Sequence, residues 1–198
     1  IQVSKLKLMK ANHTSQKYHL ETDIAKNYPV QIAAQKEQIA GLRADREAVK
    51  PILEEKEKDN FSMMIGGKTY TDRKEAGTAI LAACAGLKAV KSNGQIGEFH
   101  GFSLNASYDS FYQTYKLTIK RQCSYQIEIG KDVLGNLQRI SNALTGIEKR
   151  LTEAEQKMEN LLSQLATAQE EVEKPFPKEA ELTEKMERLA ELNSLLLS

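Results

Sequence analysis

The residues best suited to chemistry in this chain are three cations within one predicted strand. Lys116, Lys120 and Arg121 fall close together, and alternation places Lys116 and Lys120 on the outward face. Such side chains contact the phosphate backbone of nucleic acids. Tyr112, with Tyr108, stands nearby as a ring on which a base can stack. The same cations are also typical of a solvated strand face, so nucleic-acid contact and a plain surface remain alternatives.

Other motifs that suggest catalysis are incomplete. Gly66-Gly67-Lys68-Thr69 resembles a phosphate-binding loop, but Ser62 stands where that motif requires its first glycine. A hairpin turn is the favoured interpretation. The histidines lack metal-ligand spacing, and Cys84 and Cys123 are too few for a disulfide framework. We therefore predict that the chain is not an enzyme, has no cofactor and holds no metal.

The first element that must position these residues is a heptad seam from Leu137 to Val172. Its apolar residues alternate spacings of three and four, which indicates the a and d positions of a coiled coil. At ~1.5 Å per residue this helix is about 55 Å long, too long for one compact domain to cover. A heptad pattern from Ile32 to Leu53 supplies a partner. We predict that the two helices pack antiparallel within one chain.

Residues 60–131 have a different pattern. A hairpin is expected at the paired glycines, and a helix is expected after a cap at Thr71 and Asp72. Three strands with alternating hydrophobicity then follow at 99–107, 111–121 and 123–129. These elements predict a small α+β head with one helix and an antiparallel sheet.

The predicted fold is therefore α+β and mostly helical, with a long antiparallel coiled-coil hairpin that carries the head at its tip. Its parts are an ascending arm at 1–59, the head at 60–131 and a descending arm at 132–198. The arms are expected to break near 28–29 and at 175–177, where Pro175 and Pro177 stop the helical pattern. If the chain reverses direction at the head, the two breaks are expected at the same distance from the head along the two arms. Because a helical pattern is already under way at Ile1, we expect a piece of a longer protein.

Composition excludes some classes of function. The formal net charge is +1, so no general attraction to nucleic acid or to a membrane surface is expected. The longest apolar runs are too short for a transmembrane helix, and no signal peptide is visible. These features predict a cytoplasmic protein with reduced cysteines and no membrane partner.

Several segments resemble one family of proteins. The segments are Val3–Leu8, Asn12–Tyr18, Tyr70–Ile80, Gly101–Leu104, Tyr108–Phe111, Gly135–Leu144 and Lys174–Pro177. They resemble the C-terminal region of very large Swi/Snf-related superfamily 2 helicases of bacterial mobile elements, which are often fused to a DNA methyltransferase domain. The resemblance implies DNA-associated work in the cytosol, alongside the remainder of the parent helicase. The ATPase and methyltransferase motifs of that family are absent from this sequence, so the resemblance transfers no catalytic residue.

Two hypotheses for function follow. The leading one is a non-catalytic accessory module of a helicase-like protein, whose head contacts DNA or a protein partner and uses no small-molecule substrate. The alternative is a purely structural coiled-coil spacer or assembly element. Asn136 and Arg139 lie where the long helix leaves the head, and for them we favour tying the helix to the sheet over contacting DNA.

Overall fold

The computed structural model of the protein describes residues 2–57, 60–90 and 92–197, and the fold there is α+β and mostly helical. The helices are α1 (Gln2–Thr22), α2 (Tyr28–Glu57), α3 (Arg73–Ala89), α4 (Val133–Thr145), α5 (Ile147–Glu173) and α6 (Glu179–Leu197). The strands are β1 (Met63–Ile65), β2 (Lys68–Tyr70), β3 (Gly94–Phe99), β4 (Phe102–Asp109), β5 (Thr114–Lys120) and β6 (Ser124–Ile129). The chain divides into two compact units, Lys36–Gln156 and the combination of Ile1–Gln35 with Lys157–Ser198.

The unit formed by residues 36–156 contains a six-stranded sheet in the order β2-β1-β3-β4-β5-β6. Every neighbouring pair of strands is antiparallel. Gly66 and Gly67 both have positive φ, at 58° and 78°, as a two-residue turn between twisted strands requires. The predicted hairpin at these glycines is therefore confirmed.

Strand β3 was not expected from the sequence, and the prediction of only three strands after the helix is wrong. Two glycines, Gly94 and Gly97, interrupt the alternation, and the pairing register with β4 shifts between Gln95 and Gly97. Gly97 lies so close to β1 that a Cβ there would be 2.0 Å from the Met64 carbonyl oxygen. The close approach of the β1 backbone thus requires a glycine inside β3. That glycine interrupts the alternating hydrophobic pattern by which a strand is recognised in the sequence.

The two faces of the sheet differ in burial, as the alternation predicts. The inward face carries Phe102, Leu104, Leu117, Ile119 and Tyr125, each at most 2% exposed. Helix α3 contacts β4 and helix α4 contacts β6 on this side. The side chain of Asp72 caps α3 by accepting from the Glu75 N–H at 2.9 Å. The outward face carries Ser103, Asn105, Thr118, Lys120 and Gln126, none of which is buried.

The predicted single helix from 137 to 172 is two helices, α4 and α5, separated at Gly146. The interruption is slight, because Gly146 has helical dihedral angles and its N–H donates to the Asn142 carbonyl at 2.9 Å, while its own carbonyl accepts from the Arg150 N–H at 3.1 Å. The seam itself is the buried face in this unit, and its members are Leu137, Ile140, Leu144, Ile147, Leu151 and Ala154.

Helices α2 and α5 are joined by two ion pairs in the same unit. Arg43 lies 2.7 Å from Glu155, and Arg46 lies 3.6 Å from Glu148. The partners on α5 come in the reverse chain order to those on α2. The helices are therefore antiparallel over these residues.

In the other unit, the backbone remains helical through Pro29. The irregularity is a π-helical turn at Asp23–Asn27, in which the Tyr28 N–H donates to the Asp23 carbonyl. Pro29 has no N–H for the carbonyl of Ala25, and its ring would collide with that carbonyl in a regular helix. The wider π-helical turn moves this carbonyl away from the proline ring. The helix therefore continues through a π-helical turn where the sequence predicted a break.

Helices α1 and α6 pack antiparallel in this unit. Lys10 forms a 2.6 Å ion pair with Glu179, and Lys185 donates to Gln2 at 3.2 Å. The buried leucines between these ties are Leu6 and Leu182.

Pro175 and Pro177 lie in the non-helical segment between α5 and α6. The ring of Phe176, between the two prolines, lies 5.6 Å from that of His13. His13 is about 24 Å from Pro29 along a helix at ~1.5 Å per residue. Pro175 and Pro177 are therefore not level with Pro29 along the paired helices, and the prediction that the two breaks lie side by side is wrong. No helix of the described residues is long and apolar enough to cross a membrane.

Candidate functional site at the β4–β5 hairpin

The turn that joins β4 to β5 is held by one carboxylate. Oδ1 of Asp109 accepts from the backbone N–H groups of Phe111 at 3.0 Å and Tyr112 at 3.1 Å. This is the Asx arrangement that stabilises turns. Gln113 closes the turn with a φ of 55°. The backbone at the hairpin tip is thus ordered by its own hydrogen bonds.

This ordered turn presents two aromatic side chains to solvent. Phe111 is 84% exposed and Tyr112 is 69% exposed. Their ring centroids lie 4.9 Å apart with planes at 85°, an edge-to-face contact. Phe99 and Phe102, by contrast, are buried. Large aromatic groups held together on a surface are characteristic of contact sites.

Cations surround the aromatic tip. Nζ of Lys116 lies 2.8 Å from Asp109 Oδ2 and 5.8 Å from the Tyr112 ring centroid. The hydrogen bond from Lys116 lowers the pKa of Asp109, and the same contact raises the pKa of Lys116. Behind the tip, the ammonium group of Lys88 lies 4.2 Å from the centroid of the Tyr108 ring, a cation–π contact. The hairpin therefore combines exposed rings with ammonium groups.

Lys116 and Lys120 lie on the outward face of β5, as expected. Lys120 is exposed and has no ion pair with any residue that the structure describes. Glu128 of β6 lies directly opposite Lys116, and Glu98 of β3 lies in the same cross-strand row as Lys120. With Asp109, these carboxylates balance the lysines. The outward face therefore has no continuous basic strip.

The structure separates Arg121 from these lysines. Arg121 follows the end of β5, where its Nη1 donates to the Ala44 carbonyl at 3.1 Å and lies 3.4 Å from Asp45 Oδ1. Its guanidinium therefore faces helix α2.

Sequence reasoning missed Asp45, which has no exposed surface. Its Oδ1 accepts from the Gln122 N–H at 3.0 Å, and its Oδ2 accepts from the Cys123 N–H and the Tyr125 hydroxyl, both at 2.8 Å. Burial, and then Asp45, raise the pKa of Tyr125. The guanidinium of Arg150 lies 4.7 Å over the Tyr125 ring. These contacts, here called the Asp45 clasp, hold α2 against the β5–β6 turn and so fix the base of the hairpin.

Asn136 and Arg139 lie at the end of β6. The side chain of Asn136, which is fully buried, exchanges two 2.8 Å hydrogen bonds with the backbone of Gly130. Arg139 donates to Asn136 Oδ1 at 2.8 Å. These bonds join α4 to the sheet. Pro175 and Pro177 belong to the other compact unit.

The thiols are poorly suited to nucleophilic chemistry. Burial raises the pKa of Cys84 to about 11, and burial together with the Asp45 charge raises the pKa of Cys123. The reactive thiolate is therefore disfavoured at both positions. Among the residues that the structure describes, no group of three or more His, Cys, Asp or Glu is placed to hold a metal ion.

Comparison of the chain with family models, with curated proteins and with solved structures gives no match.

Proposed function

We propose that this chain is a non-catalytic accessory module of a larger helicase-like protein of bacterial mobile elements, and that its β4–β5 hairpin contacts single-stranded DNA. The observation that carries the proposal is the exposed pair Phe111 and Tyr112, held in a fixed turn beside Lys116. The resemblance of the sequence segments to DNA helicases supports DNA as the ligand.

The chemistry of the tip suits unpaired bases. Aromatic side chains stack on bases without regard to sequence, at about 1–3 kcal/mol per base. The rings of Phe111 and Tyr112 are perpendicular, so each offers its face to a different base. Lys88 supplies positive charge near the backbone of a bound strand, whereas the charge of Lys116 is offset by Asp109.

Duplex DNA suits this surface less well. Duplex binding depends on several phosphate contacts by cations along one face. On the outward face, Glu98, Glu128 and Asp109 offset Lys116 and Lys120. A stacked single strand therefore fits the charge distribution better than a duplex does.

The paired helices have a supporting role in this proposal. They form the long antiparallel coiled-coil hairpin that presents the head, and the remainder of the parent helicase binds elsewhere on the module. The antiparallel ion pairs Arg43–Glu155 and Arg46–Glu148 support this arrangement. No cofactor, membrane or small-molecule substrate takes part in this role.

Fluorescence anisotropy with a labelled oligothymidine and a labelled duplex tests the proposal at two salt concentrations. We expect the single strand to bind with a Kd of roughly 10⁻⁴–10⁻⁶ M at low salt and more weakly at high salt. Replacing both Phe111 and Tyr112 with Ala should weaken binding at least tenfold, since two stacking contacts are lost. The matched control is Tyr18→Ala, which removes a ring that is 67% exposed on α1 and should have no effect.

Absence of binding by the unmodified chain at low salt would overturn the DNA proposal and favour the structural spacer. The buried heptad seam on α4 and α5 is the observation that favours this second function. Equal binding by the double variant would also reject the hairpin as the contact site.

A further inference from the structure

Two consecutive residues, Phe111 and Tyr112, supply both rings of the hairpin tip, and two sets of contacts hold those rings in place. Oδ1 of Asp109 accepts from the backbone N–H groups of both residues, at 3.0 and 3.1 Å, and so sets the course of the backbone. The edge-to-face contact between the rings sets their planes at 85° to each other. Any ligand that uses both rings must therefore accommodate this angle.

The space between the two rings is too small for a base. Bases in a stack lie about 3.4 Å apart, so a base held between two parallel rings needs those rings roughly 7 Å apart. The centroids of Phe111 and Tyr112 are separated by only 4.9 Å, and the edge of one ring already faces the other. Each ring can therefore stack on a base only through a face that is not turned towards its neighbour. Such faces are accessible, because both side chains are largely exposed.

The angle between the rings conflicts with the geometry of a stacked strand. Bases that stack on each other, or on an aromatic side chain, lie parallel to the surface that they cover. Two bases that stack on Phe111 and Tyr112 follow the planes of the rings, which are 85° apart. The strand must therefore break its own stacking and turn sharply between these two bases.

We infer that the hairpin tip binds a single strand at a splayed step, where two neighbouring bases no longer stack on each other, and that it thereby selects strands with weak self-stacking. Thymine runs meet this requirement at little cost, whereas adenine runs stack strongly on themselves. Preferences of this kind arise from stacking strength and backbone flexibility, without hydrogen bonds to base edges. The inference rests on the proposed contact with single-stranded DNA, and it adds which strands the tip prefers.

Fluorescence anisotropy at low salt can compare a labelled oligothymidine with a labelled oligodeoxyadenosine of the same length. We expect the oligothymidine to bind at least fivefold more tightly to the full chain, because only the adenine run must lose strong stacking at the splayed step.

A change in the ligand tests the same point without any protein variant. A three-carbon spacer can replace one nucleotide at the centre of each oligonucleotide, so that the flanking bases are already separated. The spacer should strengthen binding of the oligodeoxyadenosine at least threefold. It should change the affinity of the oligothymidine less than twofold, because thymines give up little stacking in either case.

Variants with one ring test whether the angle between the rings is the cause. Phe111→Leu and Tyr112→Leu each leave one ring at the tip, and one ring can stack on the base at the end of a run without separating two bases. Each variant should weaken binding of the oligothymidine, and the ratio of the two affinities should fall below about twofold. The matched control is Tyr18→Leu, which removes an exposed ring on α1 and should preserve both the affinity and the ratio.

The outcomes separate this inference from the proposed function. Three results would each overturn the splayed step while leaving the contact with single strands in place: equal or tighter binding of the oligodeoxyadenosine, no gain from the spacer, or an unchanged ratio in both one-ring variants. Failure of both oligonucleotides to bind at low salt would overturn the inference and the proposed function together.

Discussion

Asp45 illustrates what decides the role of a single residue in this chain. Its spacing from Leu42 and Val49 places it on the buried face of α2, so its exclusion from water follows from the helical period. The four groups that donate to it lie about 80 positions later, in the β5–β6 region. No local pattern connects the two segments. The sequence therefore shows that a carboxylate lies on the apolar face of a helix, but it does not show which groups bind that carboxylate.

Asp45→Asn should destabilise the protein by about 2–4 kcal/mol. The replacement amide has one oxygen, so in either orientation a backbone N–H of Gln122 or Cys123 loses its acceptor inside the protein. Urea unfolding measures the change in free energy. The control is Glu47→Gln on the same helix, because Glu47 is exposed and its ion pairs with Arg46 and Lys50 remain in contact with solvent. If both variants unfolded at the same urea concentration, the Asp45 clasp would make no measurable contribution to stability.

At the scale of helices and strands, an element is predictable from the sequence when its own apolar side chains recur with a regular spacing. The seam through Leu151 and Leu161 was predicted because its heptads are regular, and both residues are buried. Strand β3 was missed because Gly97 is selected by a close contact with β1. Gly146 lies within an unbroken apolar spacing, so periodicity alone gave no reason to expect a break between α4 and α5. The exposed tip was found only in part, since Tyr112 was singled out and Phe111 was not.

The seam supplies the prediction at this scale. Leu151→Ala should cost about 2–5 kcal/mol, because Leu151 is 2% exposed and its removal leaves a cavity. Glu153→Ala, two positions along α5, should cost less than about 0.5 kcal/mol, because Glu153 is exposed and lies 3.9 Å from Lys149. Thermal unfolding compares the two variants. Similar shifts in Tm would mean that the assigned seam is not the packed face.

At the scale of the whole molecule, the positions of the charges say more about nucleic-acid binding than the net charge does. The net charge of +1 excludes a general attraction to DNA, yet it does not show which lysines are neutralised. Lys116 pairs with Asp109, and Arg121 is drawn towards Asp45. Lys120, with no ion pair among the described residues, keeps its charge on an otherwise balanced face. Under the proposed function, binding of single-stranded DNA would therefore depend mainly on stacking, which is a local property of the hairpin.

The proposed coiled-coil hairpin leads to the prediction at this largest scale, because it requires pairing within one chain in both compact units. Cysteines can replace Arg43 and Glu155 in one variant, and Lys10 and Glu179 in another, after Cys84 and Cys123 have been changed to Ala and Ser. Each pair is in ion-pair contact, at 2.7 and 2.6 Å, so the new thiols lie within reach of a short bismaleimide. Loss of these exposed ion pairs should cost little stability.

We expect both variants to form an internal crosslink at high dilution, detected by mass spectrometry as a monomer with one bridging linker. The matched control combines Arg43→Cys with Tyr112→Cys, since Tyr112 is exposed at the β4–β5 tip. At ~3.3 Å per residue, β5 places this tip roughly 20 Å from the end of the strand that faces α2. This control should take up two separate linkers. If the 43–155 and 10–179 pairs instead link only between chains, at a rate that rises with protein concentration, the helices pair between molecules. The chain would then be an assembly element, because its seam would be completed by a second copy.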